Sequence, residues 1–151
     1  MKHIWSIICQ RSSIDFETNS LSLFDCVEEV SAVVDKTKLA QNDKIIIPVE
    51  FQLVSFWAVK DSEKDNDLKI KGEFVDSKNK ILNSFENSFN IKKGIKRFRN
   101  RTNIKGLPIT EDGRYYLKVW QWTENKNKFE MVAELPLDVK LSYQLLPNNR
   151  K

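Results

Sequence analysis

The feature that most restricts this chain is alternation of apolar and polar residues with a period of two. In PVEFQLVSFWAVK (48–60) one side carries Val49, Phe51, Leu53, Ser55, Trp57 and Val59. Glu50, Gln52 and Lys60 stand on the other side, with Val54, Phe56 and Ala58 between them. Successive side chains of a strand point to opposite faces, so this run reads as a long strand, buried on one side and partly on both. FEMVAELPLDVKLSY (129–143) alternates in the same way. Met131, Ala133, Leu135, Leu137, Val139 and Leu141 point one way, and Glu134, Pro136, Asp138 and Lys140 the other. Pro136 cannot donate to a ladder, which puts it at an edge or a bulge.

Further strands are expected at 3–11, 20–28, 68–76, 80–90, 95–104 and 114–123. The breaks between them carry turn chemistry: DFETNS (15–20), DSKNK (76–80), TEDGR (110–114) and TENKNK (123–128). Only 28–41 admits a helix, and its Val30, Val33 and Val34 fit a short helix or a Val-rich strand. About eight strands at short spacing, without alternating helices, predict an all-β protein. The expected fold is a single antiparallel β-sandwich, immunoglobulin-like or jelly-roll-like, with at most one short helix near 28–41. It should occupy 1–146, with 147–151 as a disordered tail. The 151 residues suffice for one sizeable core.

Late in the chain, LPITEDGRYYLKVWQW (107–122) leads into VAELPLDVKL (132–141). A loop ending in Gly, then Tyr, then alternating apolar residues, and a last strand closing on Pro-apolar-x-Val, resembles immunoglobulin-like sandwiches. With IDFETNSLSLFDCVEEV and IPVEFQLVSFWAV ahead of it, the chain resembles a family of small uncharacterised bacterial proteins of this type. The resemblance implies a compact β-sandwich, with Tyr115 or Tyr116 bonding its hydroxyl to the preceding corner. It carries over no catalytic residue.

Catalytic constellations are not legible. His3 is the single histidine, beside the terminus, and is expected to be exposed and frayed. Any Ser-His-Asp or Cys-His pair would have to use it. Cys9, Cys26 and His3 have no zinc-ligand spacing, and two cysteines give no disulfide framework, so free thiols in a reducing cytosol are expected. The alternating acids of DSEKDND (61–67) lack the Gly and closing Glu of a calcium loop and read as a solvated connection. No apolar run reaches the ~20 residues of a membrane span. The expectation is a cytoplasmic, non-enzymatic protein with no cofactor, no metal and no membrane contact.

Two features point to binding. In RYYLKVWQW, Tyr116, Lys118, Trp120 and Trp122 share one face, the opposite one from Tyr115, Leu117 and Val119. If the latter face is core, the former is an aromatic surface for a protein partner or for self-association. The other feature is IKKGIKRFRNRTNIKG (91–106), with Lys92, Lys93, Lys96, Arg97, Arg99, Arg101 and Lys105 and no acid. Since the whole chain carries only +4, this one segment holds its entire positive excess. Arg97, Arg99 and Arg101 fall on one face of a strand. The expectation is an edge strand guarded by charge, with at most weak polyanion binding; the alternative is a nucleic-acid-binding module. The aromatic face is the first reading of function and the basic segment the second.

Overall fold

The computed structural model describes residues 1–35 and 44–144. Among them the alternating runs form nine strands: β1 (Lys2–Ile14), β2 (Leu21–Cys26), β3 (Glu29–Asp35), β4 (Ile45–Ala58), β5 (Asn66–Val75), β6 (Ile81–Ile91), β7 (Arg97–Ile109), β8 (Gly113–Thr123) and β9 (Lys128–Gln144). They make a four-stranded sheet in the order β2-β1-β4-β7 and a five-stranded sheet in the order β3-β9-β8-β5-β6.

Short polar side chains turn the corners. Asp15 Oδ1 accepts the Thr18 N–H at 2.7 Å between β1 and β2. Asp76 accepts from the N–H groups of Lys78 and Lys80 at 2.8 Å each between β5 and β6. Asn19, Asn79 and Asn127 take up positive φ in three of these turns, a region that asparagine tolerates better than most residues. Between β8 and β9 a single 3₁₀ turn covers Glu124–Lys126.

The sandwich departs from the expected antiparallel arrangement at one strand. Within 28–41, residues 29–35 form β3 and not a helix; the rest of that segment, and the tail expected at 147–151, lie outside the described residues. β3 pairs with β9 in parallel, Glu29 opposite Asp138 through Asp35 opposite Gln144. Val30 and Val34 are buried with Ala32 packed beside them, while Val33 is exposed, which is period two rather than a helical stripe. The free edge of β9 supplies the ladder that decides between the two readings. Only Val27 and Glu28 join the sheets here: the Val27 N–H donates to Ile8 O, and the Asp138 N–H to Glu28 O, both at 2.9 Å.

The core lies between the sheets. Phe51 and Leu53 of β4 face Leu117 and Val119 of β8 and Leu137 and Val139 of β9, all buried. Trp57, Leu68, Ile70 and Ile91 close one end as a second cluster. Each fully buried aliphatic of this kind contributes about 1.5–3 kcal/mol. Met131, expected inside, is 49% exposed. A β-bulge is the reason: the β8–β9 register shifts between Val119 and Trp120, so Val132 is the extra residue and packs into both clusters. Ahead of the bulge the phase reverses, and Met131 stands outside opposite Trp120. In the middle of β5, Gly72 makes room for the Phe85 ring, which would collide with any Cβ there.

Candidate functional site

The outer face of the five-stranded sheet holds the expected aromatic set. Tyr116, Lys118, Trp120 and Trp122 share it, on the side opposite buried Tyr115, Leu117 and Val119. The bulge at Val132 adds Phe129, which meets Trp122 edge-on with centroids 5.2 Å apart. These rings are half-buried rather than open. The Lys69 Nζ sits 5.6 Å from Trp122 and 5.4 Å from Phe129. The Lys71 Nζ sits 5.2 Å from Trp120 and 5.0 Å from Phe129. Glu86 holds Lys69 at 3.2 Å, Glu73 holds Lys71 at 2.8 Å, and Glu134 holds Lys118 at 3.3 Å. The face is thus roofed by lysine stems whose charges are already matched.

The basic segment is divided by the structure. The Lys92 Nζ pairs with Asp65 at 2.9 Å, the Lys93 N–H donates to the same carboxylate at 3.0 Å, and Lys105 pairs with Glu50 at 3.2 Å. Two hydrogen bonds, the larger one from Lys92, hold the Asp65 carboxyl below its usual range. Asp65 therefore docks the β6–β7 connection, and Asp67 accepts from Asn90 Nδ2 at 2.9 Å. Lys96 is exposed in that connection.

The three arginines lie on β7, an edge strand of the four-stranded sheet as expected. Arg97, Arg99 and Arg101 stand opposite Ala58, Phe56 and Val54 of β4, on the outer face, while Phe98, Asn100 and Thr102 face inward. Asn100 is buried and accepts the Trp57 indole N–H at 2.8 Å. From the next strand Trp5 comes opposite Phe56, with rings 5.6 Å apart. A register shift between His3 and Trp5 makes this so: Ile4 is the extra residue, and the bulge turns His3 inward against Trp57 while Trp5 stays outside.

Arg99 lies 5.8 Å from the centre of the Phe56 ring and donates to Asn19 O at 3.0 Å and Asn19 Oδ1 at 3.2 Å. Asn19 belongs to the β1–β2 turn, at the far edge of the same sheet. The sheet is therefore curled into a half-barrel, and Val54 and Cys9, on its outer face, are fully buried. Beyond the curl, Arg11 covers Phe24 at 5.0 Å. Among the described residues no carboxylate pairs with Arg11, Arg97, Arg99 or Arg101. A curved face carrying two neighbouring rings and unmatched guanidinium groups can stack a planar base and grip a phosphate.

Sequence reasoning placed the arginines on one face but missed Trp5 and Phe56. The signal was present in Val54, Phe56 and Ala58, an apolar stripe on the outer side of β4. What hid Trp5 is the bulge at Ile4, which no alternation reveals.

His3 is not the frayed residue expected. Its Nε2 lies 2.8 Å from Ser6 Oγ, and Ser6 Oγ lies 2.7 Å from Ser55 Oγ. Burial lowers the His3 pKa, partly offset by a backbone hydrogen bond at Trp5. His3, Ser6 and Ser55 thus form one hydrogen-bonded chain that links β1 to β4 on the inner side of the sheet.

Between the sheets, where β6 and β7 part, a cavity of about 230 Å³ is lined by Phe51, Phe74, Phe85, Leu117 and Leu137, with Asn83 and Thr102 among its polar neighbours. It falls below the ~300–1,000 Å³ of small-molecule sites. No helix among the described residues is long and apolar enough to cross a membrane. No family model matches the chain, and neither does any curated protein.

Proposed function

We propose that this protein is a non-enzymatic binding module for single-stranded nucleic acid or a similar polyanion, acting through the outer face of its four-stranded sheet. The observation that carries the reading is the set of arginines that have no carboxylate partner among the described residues, beside the Trp5–Phe56 ring pair. Bases offer a π-face whatever their identity, and stacking on an aromatic ring contributes roughly 1–3 kcal/mol per base. Phosphates match the planar guanidinium fork, and Arg97, Arg99 and Arg101 span roughly 13 Å at ~3.3 Å per residue. A labelled single-stranded RNA oligonucleotide should bind with quenching of Trp5 fluorescence, and Trp5→Ala with Phe56→Ala should weaken it at least tenfold. Equal binding by that double variant would remove the stacking role.

A second reading rests on Met131, which stands exposed opposite Trp120 on the other sheet. It makes the aromatic face of Tyr116, Lys118, Trp120 and Trp122 a contact for a second copy of this chain. Sedimentation at rising concentration should then show a dimer that Met131→Asp dissolves; a monomer throughout would end this reading. We also propose an immunoglobulin-like sandwich working in a reducing cytosol, supported by the corner at Tyr115 and by two free thiols.

A further inference from the structure

The two cysteines of the chain are direct cross-strand neighbours: Cys9 of β1 stands opposite Cys26 of β2. Both are free thiols, Cys9 buried and Cys26 exposed. The pair just beyond them, Ile8 and Val27, is joined by the Val27 N–H donating to Ile8 O at 2.9 Å. Hydrogen-bonded and non-hydrogen-bonded pairs alternate along an antiparallel ladder, so Cys9 and Cys26 form a pair of the second kind. Such pairs hold Cα atoms about 4.5 Å apart with side chains on the same side of the sheet, inside the ~4.4–6.8 Å range that a disulfide requires. Cys26 is open to solvent and also borders a surface pocket of about 330 Å³, shared with Ser6, Glu28, Arg114 and Asp138.

We propose that Cys9 and Cys26 are a reversible redox modification site, closed by a low-molecular-weight disulfide such as oxidised glutathione. The exposed Cys26 thiolate attacks one sulfur of the reagent, forming a mixed disulfide and releasing one glutathione thiolate, which takes up the proton that Cys26 lost. Cys9 then gives up its proton and attacks the Cys26 sulfur, forming the Cys9–Cys26 bond and releasing the second glutathione. Two protein thiols are oxidised, and one glutathione disulfide is reduced to two thiols. Burial raises the Cys9 pKa, and the neighbouring Cys26 raises it further, in keeping with Cys9 as the slower second group. The bond would staple β2 to β1 beside Arg11 and Phe24, in the hairpin whose turn Arg99 holds.

Folded protein incubated with oxidised glutathione, then alkylated and weighed, tests this. Wild type should lose two hydrogens, take up no alkylating agent and melt at a higher temperature. Cys9→Ser should stop at one glutathione adduct, and Cys26→Ser should react roughly tenfold more slowly or worse, its remaining thiol being buried. If Cys9→Ser fails to fold, the wild-type product and the exposed-site Cys26→Ser variant still decide the matter. A wild-type adduct that persists, or two thiols that stay reduced while folded and oxidise only in denaturant, would overturn the proposal.

Discussion

The hydroxyl of Tyr115 donates to the carbonyl of Glu111 at 2.6 Å and accepts from the N–H groups of Thr110 and Glu111 at 3.1 Å each. One buried side chain thus ties down the whole β7–β8 corner, with its ring stacked 5.3 Å from Phe74. Tyr115→Phe keeps the ring and removes the knot, leaving backbone groups unpaired. It should cost about 1–3 kcal/mol in denaturant midpoint without changing the slope.

The bulge at Val132 separates two residues that simple alternation groups together. Leu137→Ala, in the core, should cost about 2–5 kcal/mol. Met131→Ala should cost less than ~0.5 kcal/mol, being on the surface. Comparable losses at both sites, measured by urea unfolding, would mean that the phase of β9 does not reverse.

Much of this fold was legible in the sequence because strands write themselves as period two. All eight expected strands form, and each of the four Asx- or Gly-containing breaks becomes a turn. Tyr115 could be narrowed to one of two adjacent tyrosines for the corner. The parallel partnering of β3 with β9 was not legible, since nothing local in EVSAVVD states which distant edge it will extend. The bulges at Ile4 and Val132 were hidden for a related reason: an inserted residue is fixed by the neighbouring strand, not by its own composition. Those two bulges decide where Trp5, His3, Phe129 and Met131 point, so the binding faces were less readable than the core.

Acid should destabilise the protein in two stages, with the signs set by depressed pKa values. His3 is lowered by burial, so the unfolded chain takes up its proton first. Stability should be complete above the ordinary histidine pKa near 6.5 and decline as pH falls towards the folded value. Asp65, Asp138 and Glu130 are lowered by hydrogen bonds from, respectively, Lys92, Arg114 and Lys126, so their contribution is lost below about pH 4. A thermal melting series against pH should show both stages, and His3→Gln should remove only the upper one.

Iodide quenching of single-tryptophan variants should rank the indoles. Trp57 is fully buried and should be protected. Trp120 and Trp122, half-buried under Lys71 and Lys69, should be quenched more, and more still after Lys69→Ala with Lys71→Ala. Protection of all three, unchanged in that variant, would mean that the outer aromatic face is covered by something other than lysine.

On the proposed function, Arg97, Arg99 and Arg101 grip phosphate from the outer face of β7. The most direct measurement is the salt dependence of single-stranded RNA binding, wild type against the Arg97→Gln, Arg99→Gln, Arg101→Gln triple variant. Each phosphate contact on a single strand contributes about 0.7 to the slope of log K against log salt. Wild type should bind, and the triple variant, still folded by circular dichroism, should lose roughly two units of that slope and most of its affinity. A wild type that shows no binding beyond weak association at low salt, or a triple variant with an unchanged slope, would contradict the account and leave these arginines as guards of a sheet edge.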